Sequence, residues 1–474
     1  MSQPILIAGD DQVARVRDQR LAVQFGGASG TLASLGDRGI DVVRHLAAEL
    51  GLAEPVLPWH TARARIAELG APGSLPQPPD GELIEATGKH AFPGFVDPHV
   101  HLRTPGHEYK EDLESATEAA ATGGFSAVIA MPNTDPVLDN AAVLGSLIDA
   151  AKREGRVPVG VLASITRGLK GQELTEMAEL RDAGALGFTD DGKPVVSAGM
   201  LRKALQYQRL CGGVVALHEE DPALSGDGAM HEGAVSARLG LAGIPSVSES
   251  TMVARDAALA RYEDARVHFQ HLSCVESVEA LQAAKHAGAR VSAEATPHHL
   301  TLTDELVRTL DSRFKMNPPL RTELDRGALV EAIRTGLIDC IATDHAPHAS
   351  FEKEVPFEEA AMGTTGLETA FAALYTELVL PGELDLVTVV DRMTAGAALY
   401  DLPTPRIAVN EPANLCLVDL EACWEVGSGG YVSRSSNSSF HGRTLHGRVV
   451  LTLAGGTIAF RGRMLAEARA LSAR

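Results

Sequence analysis

Short apolar runs alternate with longer amphipathic segments through the middle of the chain. The runs lie at 126–131, 158–163, 185–188, 214–217, 267–269, 291–293 and 340–342. Between them, stretches such as 141–154 and 172–183 have the apolar spacing of helices. Strands that alternate with helices predict a parallel sheet, and about eight such units fit a closed α/β fold, the (β/α)8 barrel. We therefore predict a TIM-like barrel over residues 92–400.

The two ends of the chain read as strands and turns instead. Strand-like pieces occur at 4–8, 21–25 and 82–88, and again at 412–419, 448–452 and 457–462. A helix-like stretch at 41–52 and a proline-rich connector at 75–81 separate the first pieces. We predict that residues 1–91 and 401–474 pair into one small composite β-domain beside the barrel.

Composition narrows the class of protein. The formal net charge of -20 argues against nucleic acid, whose binders usually carry a basic face, and against an anionic membrane surface. The five cysteines, Cys211, Cys274, Cys340, Cys416 and Cys423, show no C-x-x-C pattern, which predicts reduced thiols in a cytoplasmic protein. No signal peptide and no apolar run of membrane-spanning length are evident in the sequence.

Ligand-type side chains follow several of the apolar runs. His99 and His101 are two residues apart in PGFVDPHVHLRTPG, and residues at that spacing in a strand point the same way. Four further residues come just after apolar runs: Asp191, His218, His271 and Asp344. Active sites of (β/α)8 barrels lie at the carboxyl ends of the strands, so these six side chains are predicted to meet there.

Neutral imidazoles and carboxylates are the ligands expected for zinc or a similar divalent ion. Six ligands exceed one tetrahedral zinc, and two ions that share Asp191 would use them all; one or two ions both remain open. Metal coordination makes water a nucleophile at neutral pH. Asp344 could take the proton of that water and pass it to a leaving nitrogen. The sequence therefore predicts hydrolysis of an amide.

Each ligand candidate also has a plain structural explanation. Asp191 precedes Gly192 and could form a turn, since Asp-Gly is common there. His218 precedes three acidic residues and could lie on the surface, and His101 could be a core histidine. Cys274 follows His271 closely and could also belong to the site. These explanations account for single residues and not for the whole set.

Four other residues are candidates for substrate recognition. Arg103 lies two residues after His101, on the same face of the strand end, and a guanidinium can fork onto a carboxylate. Asn133 follows the next strand, Asn317 could read a ring amide, and His348 could be a second contact for an anion. For the last three, a role in shaping a loop is an open alternative on local grounds.

Long stretches of the chain resemble type I dihydroorotases of the amidohydrolase superfamily. The matching text includes FPGFVDPHVHLRTPG, GFTDDGKPV, HEGAVSARLGL, EATPHHLTLTDE, KMNPPLR and DCIATDHAPH, from about residue 82 to the C-terminus. The resemblance implies reversible cyclisation of N-carbamoyl-L-aspartate to L-dihydroorotate in pyrimidine biosynthesis. It implies six zinc ligands, His99, His101, Asp191, His218, His271 and Asp344, with Asp344 also the acid/base. It implies that Arg103, Asn133 and His348 hold the substrate carboxylate and that Asn317 holds the ring.

The chain departs from the superfamily pattern in three places. Many members bridge two metals with a carbamylated lysine, whereas this chain offers Asp190 and Asp191, and the family places its ligand directly before the glycine. Thr104 stands where a glutamate is common, which removes a charge near the site. Residues from about 30 to 80 look like an insertion, for which the sequence suggests no function.

Two other functions compete with dihydroorotase. Another cyclic amidohydrolase, an allantoinase or hydantoinase, is expected to carry the lysine and to lack the Arg103 and Asn133 pair. A catalytically inactive dihydroorotase-like scaffold for aspartate transcarbamoylase is expected to have lost metal ligands. We expect a homodimer, with an association with a transcarbamoylase left open. Residues 349–363, with a charged Glu-Lys-Glu, form a candidate loop over the substrate.

Overall fold

The structure is a computed structural model that describes residues 5–8, 13–17, 21–23, 64–70 and 82–462. Before the barrel it contains β1 (Ile5–Ala8), β2 (Val13–Arg17), β3 (Leu21–Val23), β4 (Arg65–Gly70), β5 (Glu82–Glu85) and β6 (His90–Pro93). The predicted helix at 41–52, the connector at 75–81 and most of the insertion at 30–80 lie outside the described residues.

Eight parallel strands of the described chain form one sheet that closes on itself. They are β7 (Phe95–Val100), β8 (Phe125–Ala130), β9 (Val159–Ala163), β10 (Gly187–Thr189), β11 (Val215–Leu217), β14 (Val267–Phe269), β15 (Val291–Ala295) and β16 (Cys340–Ile341), paired in that order. The seam between first and last strands is closed by the amide of His101, which donates to the carbonyl of His345 at 2.9 Å. The predicted (β/α)8 barrel is therefore confirmed.

Helices surround the barrel and connect its strands. The longer ones are Leu113–Thr122, Ala141–Glu154, Ala198–Cys211, Val247–Glu263, Val275–His286, Glu323–Thr335 and Leu386–Thr394. Shorter ones are Met177–Asp182, Pro222–Ser225, Ala234–Leu239, Pro297–Thr301, Ser350–Lys353, Ala370–Leu374 and Gly396–Leu399. A small parallel pair, β12 (Met230–His231) and β13 (Gly243–Ile244), lies in the connection after β11.

Local capping explains where some helices begin. Asn140 accepts a hydrogen bond from the amide of Val143, so the helix Ala141–Glu154 starts where the sequence predicted it. The helix predicted at 172–183 starts only at Met177. The amide of Arg167 donates to the carbonyl of Glu173, and this pairing keeps the preceding residues in a turn.

Aliphatic and small side chains let the helices sit close to the barrel. The helix Leu113–Thr122 buries a run of alanines against β8, including Ala116 and Ala119–Ala121. Four of the scarce aromatic residues, Phe95, Phe125, Phe188 and Phe269, are fully buried in the same core. A core made largely of Ala, Val and Leu follows from the low aromatic content of 4%.

Strands from both ends of the chain pack beside the barrel. β6 pairs with β17 (Leu415–Glu425), which pairs with β18 (Thr444–Ala454) and then β19 (Thr457–Arg461), all antiparallel. The other N-terminal strands form a second sheet in the order β3-β1-β2-β4, with β5 beside β1. Ile66 and Ile84 share one core with the tail residues Leu415, Leu451 and Leu453. The extra sheet domain is thus composite, while its predicted limits at residues 91 and 401 remain predictions.

One buried polar group ties the tail to the barrel, and we call it the junction cluster: Glu111, His345, Ser433 and Arg434. Glu111 Oε2 accepts hydrogen bonds from His345 Nε2 at 3.3 Å and from the Ser433 hydroxyl. Glu111 Oε1 accepts the backbone amide of Arg434 at 3.0 Å. Both oxygens of this carboxylate are therefore satisfied, as buried polar atoms normally are.

Two further features of the described chain are its lack of a membrane-spanning helix and the free state of its thiols. Within the described part of the chain, no helix has the length and hydrophobicity needed to cross a bilayer. All five cysteines are free. Cys274 is buried, its Sγ lies 3.1 Å from Ser277 Oγ, and it belongs to a polar group around Glu249.

Candidate metal centre

The barrel brings the six predicted ligands to one place, which we call the ligand centre. His99 lies within β7 and His101 just beyond it, while the others follow the ends of β10, β11, β14 and β16: Asp191, His218, His271 and Asp344. Each of these six side chains is buried. Parallel strands present their carboxyl ends at one face of the barrel, so residues far apart in sequence meet there.

Distances in the first half of the centre are those of atoms that can share a ligand. His99 Nε2 lies 3.4 Å from Asp191 Oδ1 and 3.5 Å from Asp344 Oδ1. His101 Nε2 lies 3.0 Å from Asp344 Oδ1 and 3.5 Å from Asp191 Oδ2. The two imidazoles of the His-x-His pair thus face the same two carboxylates.

The second half of the ligand centre consists of His218 and His271, which also face Asp191. His218 Nδ1 and His271 Nε2 each lie 3.8 Å from Asp191 Oδ1, and they lie 3.0 Å from each other. Asp191 therefore stands between the His218–His271 pair and His101, with Oδ1 and Oδ2 facing different imidazoles. A carboxylate in this position can bridge two ions.

The donor set fits a divalent cation. His99 Nε2 is buried and has no hydrogen-bond partner in the described chain, which is unusual for a buried polar atom. Two sets of ligand atoms lie within 4.8 Å of one another, one from His99, His101 and Asp344 and one from His99, Asp191 and His271. Imidazole nitrogens with carboxylates suit zinc, although the same set accepts other divalent ions.

Backbone geometry also marks this end of the barrel. Arg103, His271 and Asp344 have positive φ angles of 58°, 33° and 45°. Such angles are uncommon for residues other than glycine, and they cluster at functional sites. Here they turn the chain sharply at strand ends, so that side chains beyond the strand point back over the barrel.

Glu294 in β15 holds His99 and His271 in position, and the sequence analysis did not identify it. Its Oε1 accepts from His99 Nδ1 at 2.6 Å and from the backbone amide of His271 at 3.2 Å. Its Oε2 lies 3.0 Å from His268 Nε2. A proton held on Nδ1 of His99 leaves Nε2 free to bind a cation. The available signal was a glutamate inside an apolar run, where a buried charge requires a partner.

Charge pairing among the ligand candidates governs their ionisation. Burial works against the charged form of His99, but Asp191, Glu294 and Asp344 raise its pKa well above the usual value. Burial likewise opposes ionisation of Asp191, yet His99 and His271 hold its pKa well below the ordinary range. A bound cation would take the place of these shared protons, since metal ligands must be deprotonated.

Asp190, the neighbour of Asp191, has a different task. Its Oδ1 accepts the amides of Ile165 at 2.8 Å and Thr166 at 3.0 Å, and its Oδ2 accepts the Thr166 hydroxyl. Burial raises the pKa of Asp190 to about 6, against the effect of these hydrogen bonds. Asp190 thus fixes the loop after β9, and only Asp191 faces the centre.

The four predicted recognition residues lie around the centre in different environments. Arg103 donates through Nε to the Pro347 carbonyl at 3.2 Å, and no carboxylate of the described residues forms an ion pair with it. Burial lowers the pKa of Arg103, against the raising effect of Asp344 and Asp191. A partly buried guanidinium that forms no ion pair among the described residues can bind a carboxylate.

Asn133 and His348 have protein partners on one side. Asn133 Oδ1 lies 2.9 Å from His101 Nδ1, and Asn133 Nδ2 donates to Asp191 Oδ2 at 3.2 Å. His348 Nε2 donates to the Met362 carbonyl at 2.8 Å, while its Nδ1 is buried without a hydrogen bond. Asn133 therefore touches two ligand candidates directly, whereas Nδ1 of His348 lies 3.5 Å from Glu352 Oε2.

A second missed residue is His298, after β15. It is 2% exposed, and its Nε2 has no hydrogen-bond partner among the described residues. Burial, His299 and the imidazoles of His271 and His99 lower its pKa well below the usual value, so it stays neutral. His298 and His299 are adjacent in the sequence EATPHHL, but adjacency alone does not predict which of the two rings faces the ligand centre.

The segment 349–363 is fastened to the wall of the site. The Lys353 ammonium is buried and donates to the carbonyls of Lys315, Ala361 and Gly363 at 3.2, 2.8 and 3.0 Å. Lys315 in turn donates through Nζ to the Glu358 carbonyl at 2.8 Å. These bonds join the segment to the chain that leads into Asn317.

Comparison with known proteins identifies the family. Residues 88–279 match the family described as Dihydro-orotase-like. A dihydroorotase of Desulforapulum autotrophicum is 43% identical over 82% of this chain and 91% of its own length. One of Syntrophotalea carbinolica is 45% identical over 84% of this chain and 93% of its own.

The chain belongs to the dihydroorotase family. Among solved structures, the L-hydantoinase (dihydropyrimidinase) from Arthrobacter aurescens is similar, with 26% identity and a TM-score of 0.74. That match covers 84% of this chain and 90% of the hydantoinase chain. This member of the family is a hydrolase on an amidohydrolase barrel, as the sequence predicted.

Proposed function

We propose that this chain is a zinc-dependent type I dihydroorotase that interconverts N-carbamoyl-L-aspartate and L-dihydroorotate in pyrimidine biosynthesis. The observation that carries the proposal is the convergence of four imidazoles on Asp191, with Asp344 facing His99 and His101. Relatives named dihydroorotase, 43–45% identical over most of the chain, support the choice of reaction.

Zinc, held by His99, His101, Asp191, His218, His271 and Asp344, would lower the pKa of water and polarise the ring carbonyl. One or two ions fit this set, and the bridging position of Asp191 favours two. Asp344 accepts the proton of the attacking water and delivers it to the ring nitrogen that leaves. In ring closure the same carboxylate removes the proton from the attacking nitrogen.

Arg103, Asn133 and His348 are proposed to hold the substrate carboxylate, and Asn317 the ring. The guanidinium of Arg103, which forms no ion pair among the described residues, supplies the charge. His348 Nε2 carries the proton that it donates to the Met362 carbonyl, so Nδ1 would contact a carboxylate only with a second proton on the ring. Fixing the substrate through several groups brings the reacting atoms together without further loss of entropy.

A rival proposal is hydrolysis of another cyclic amide, favoured by the structural likeness to a hydantoinase. The Arg103 guanidinium, which forms no ion pair with a carboxylate of the described residues, favours an anionic substrate over hydantoin or allantoin. The inactive-scaffold alternative is disfavoured because all six ligand candidates are retained and face one another.

An assay of the purified chain with N-carbamoyl-L-aspartate and L-dihydroorotate, run beside hydantoin and allantoin and with metal quantitation, tests this function. We expect turnover of the first two only, with one or two zinc ions per chain. Turnover of hydantoin or allantoin without dihydroorotate would overturn the proposal. A cytoplasmic location, a homodimer and a transcarbamoylase partner remain proposals of the same kind; the free cysteines favour the first.

A further inference from the structure

A single carboxylate oxygen joins the ligand centre to the proposed ring-binding residue. Glu220 Oε2 accepts a hydrogen bond from Asn317 Nδ2 at 2.6 Å and lies 3.3 Å from His218 Nε2. Glu220 belongs to the connection after β11, and Asn317 lies nearly a hundred residues further along the chain. The side chain of Glu220 is 18% exposed, so it lies at the edge of the site.

The contact with His218 selects one tautomer of that imidazole. An ionised carboxylate only accepts hydrogen bonds, so the proton of the neutral ring must be on Nε2. The lone pair is then on Nδ1, which is the nitrogen that faces Asp191 and His271. Carboxylates in this position raise the basicity of a ligating histidine and fix its ring.

The contact with Asn317 selects one orientation of its amide. The amino group must face Glu220, because the reverse orientation would place two acceptors against each other. The carbonyl oxygen Oδ1 is then the group left for a ligand, and no donor among residues 82–462 reaches it. A free amide oxygen reads an N–H group and not a carbonyl.

We propose that Glu220 is a positioning residue that sets the polarity of both groups, presenting Nδ1 of His218 to the cation and Oδ1 of Asn317 to a ring N–H. This inference deepens the proposed function and rests on it for the role of Asn317. It predicts that the site recognises a cyclic ureide through a donor N–H, in addition to the carboxylate that faces Arg103.

A double-mutant cycle tests the Asn317 half. In Glu220→Gln, we expect kcat/KM for dihydroorotate, normalised per zinc-loaded site, to fall about 10- to 100-fold, mainly through KM, because the hydrogen bond from Asn317 loses its charge assistance and the new amino group can turn the Asn317 amide around. In an Asn317→Ala background the same substitution should cause little further change in KM, since Glu220 acts through Asn317. Asp227→Asn, an exposed carboxylate of the same connection, is the matched control.

Zinc release to a chelator tests the His218 half without turnover. Glu220→Gln should lose zinc about 10- to 100-fold more readily than Asp227→Asn, as loss of a carboxylate partner of a metal-bound histidine does. If Glu220→Gln does not fold, Glu220→Asp, which keeps the charge but shortens its reach, enters the same two measurements.

The outcomes separate the two proposals. Multiplicative effects of Glu220→Gln and Asn317→Ala on KM, or zinc release equal to that of the control, would overturn the inference while dihydroorotase turnover stands. An unmodified chain that binds zinc but does not turn over dihydroorotate would overturn the proposed function. In that case the zinc-release measurement still decides the His218 half.

Discussion

The ligand centre and the junction cluster are both buried, both built from histidine and carboxylate, and only one residue apart at Asp344 and His345. In the junction cluster every carboxylate oxygen of Glu111 has a hydrogen-bond donor. In the centre, His99 Nε2 faces the carboxylates of Asp191 and Asp344 but has no hydrogen-bond partner among the described residues. The pairing of atoms, and not the residue types, distinguishes a cluster that stabilises the fold from one that can bind a cation.

The largest effect should come from the acid/base of the centre. Asp344→Ala should lower kcat by about 10²–10⁴-fold, and by more if zinc is also lost, because proton transfer and a ligand are removed together. The thermal unfolding of the metal-free variant should change little by comparison. Near-normal turnover in this variant would place the acid/base elsewhere.

The adjacent residues Asp190 and Asp191 show the same difference between a carboxylate that stabilises the fold and one that faces the ligand centre. Asp191→Ala should lose zinc and turnover, measured by metal analysis and assay, because the carboxylate between the imidazoles is removed. Asp190→Ala should lower the free energy of unfolding by on the order of 3 kcal/mol, since two buried amides and a hydroxyl lose their acceptor. Equal zinc loss in both variants would erase the distinction between them.

The junction cluster should respond in stability and in its acid dependence. Glu111→Gln should lower the free energy of unfolding by about 2 kcal/mol, while folded molecules keep their turnover. Burial raises the pKa of Glu111, but hydrogen bonds from His345, Ser115 and Ser433 and the charge of His345 lower it overall.

The sign of the pH effect follows from that lowered pKa. A carboxyl group with a lowered folded-state pKa stabilises the fold above its unfolded value, and this contribution is lost as the pH falls through the folded value. Acid denaturation curves of the unmodified chain should therefore contain a component that Glu111→Gln removes. Identical acid limbs in the two proteins would contradict the assignment.

The smallest effect is expected at Cys274, which lies close to His271 in sequence but not in the centre. Cys274→Ala should cost about 1 kcal/mol of stability and leave zinc content and turnover unchanged, as buried thiols outside a site usually do. Burial raises the pKa of this thiol, with Glu249 acting in the same direction, so it is also unreactive. Loss of zinc in this variant would extend the centre to Cys274.

Much of the barrel could be predicted because its signals are local. The strand Val267–Phe269 and the helix Ala141–Glu154 match the apolar runs and caps that mark them in the sequence. The six ligand candidates could be predicted because strand ends share one face. Asp191 could be separated from Asp190 only by resemblance, and the hydrogen bonds of Asp190 now supply a physical reason.

The partners of those residues could not be predicted. Glu294 contacts His99 across the interior of the barrel, and Glu220 contacts Asn317 from a different connection between strands. The residues of each pair are far apart in the sequence, so no sequence motif indicates that they are partners. The helix expected from 172 starts later because a turn around Arg167 uses the preceding backbone groups. Such contacts depend on tertiary register, which local patterns do not encode.

The seam of the barrel passes between two motifs of the site. The amide of His101 donates to the carbonyl of His345, so the first and last strands are joined at residues that belong to, or are adjacent to, the proposed ligands His101 and Asp344. Assembly of the reactive pocket and completion of the fold are then one event. A chain that has formed its first β/α units but has not closed the barrel should have no activity. The onset of turnover during refolding should therefore report closure of the barrel.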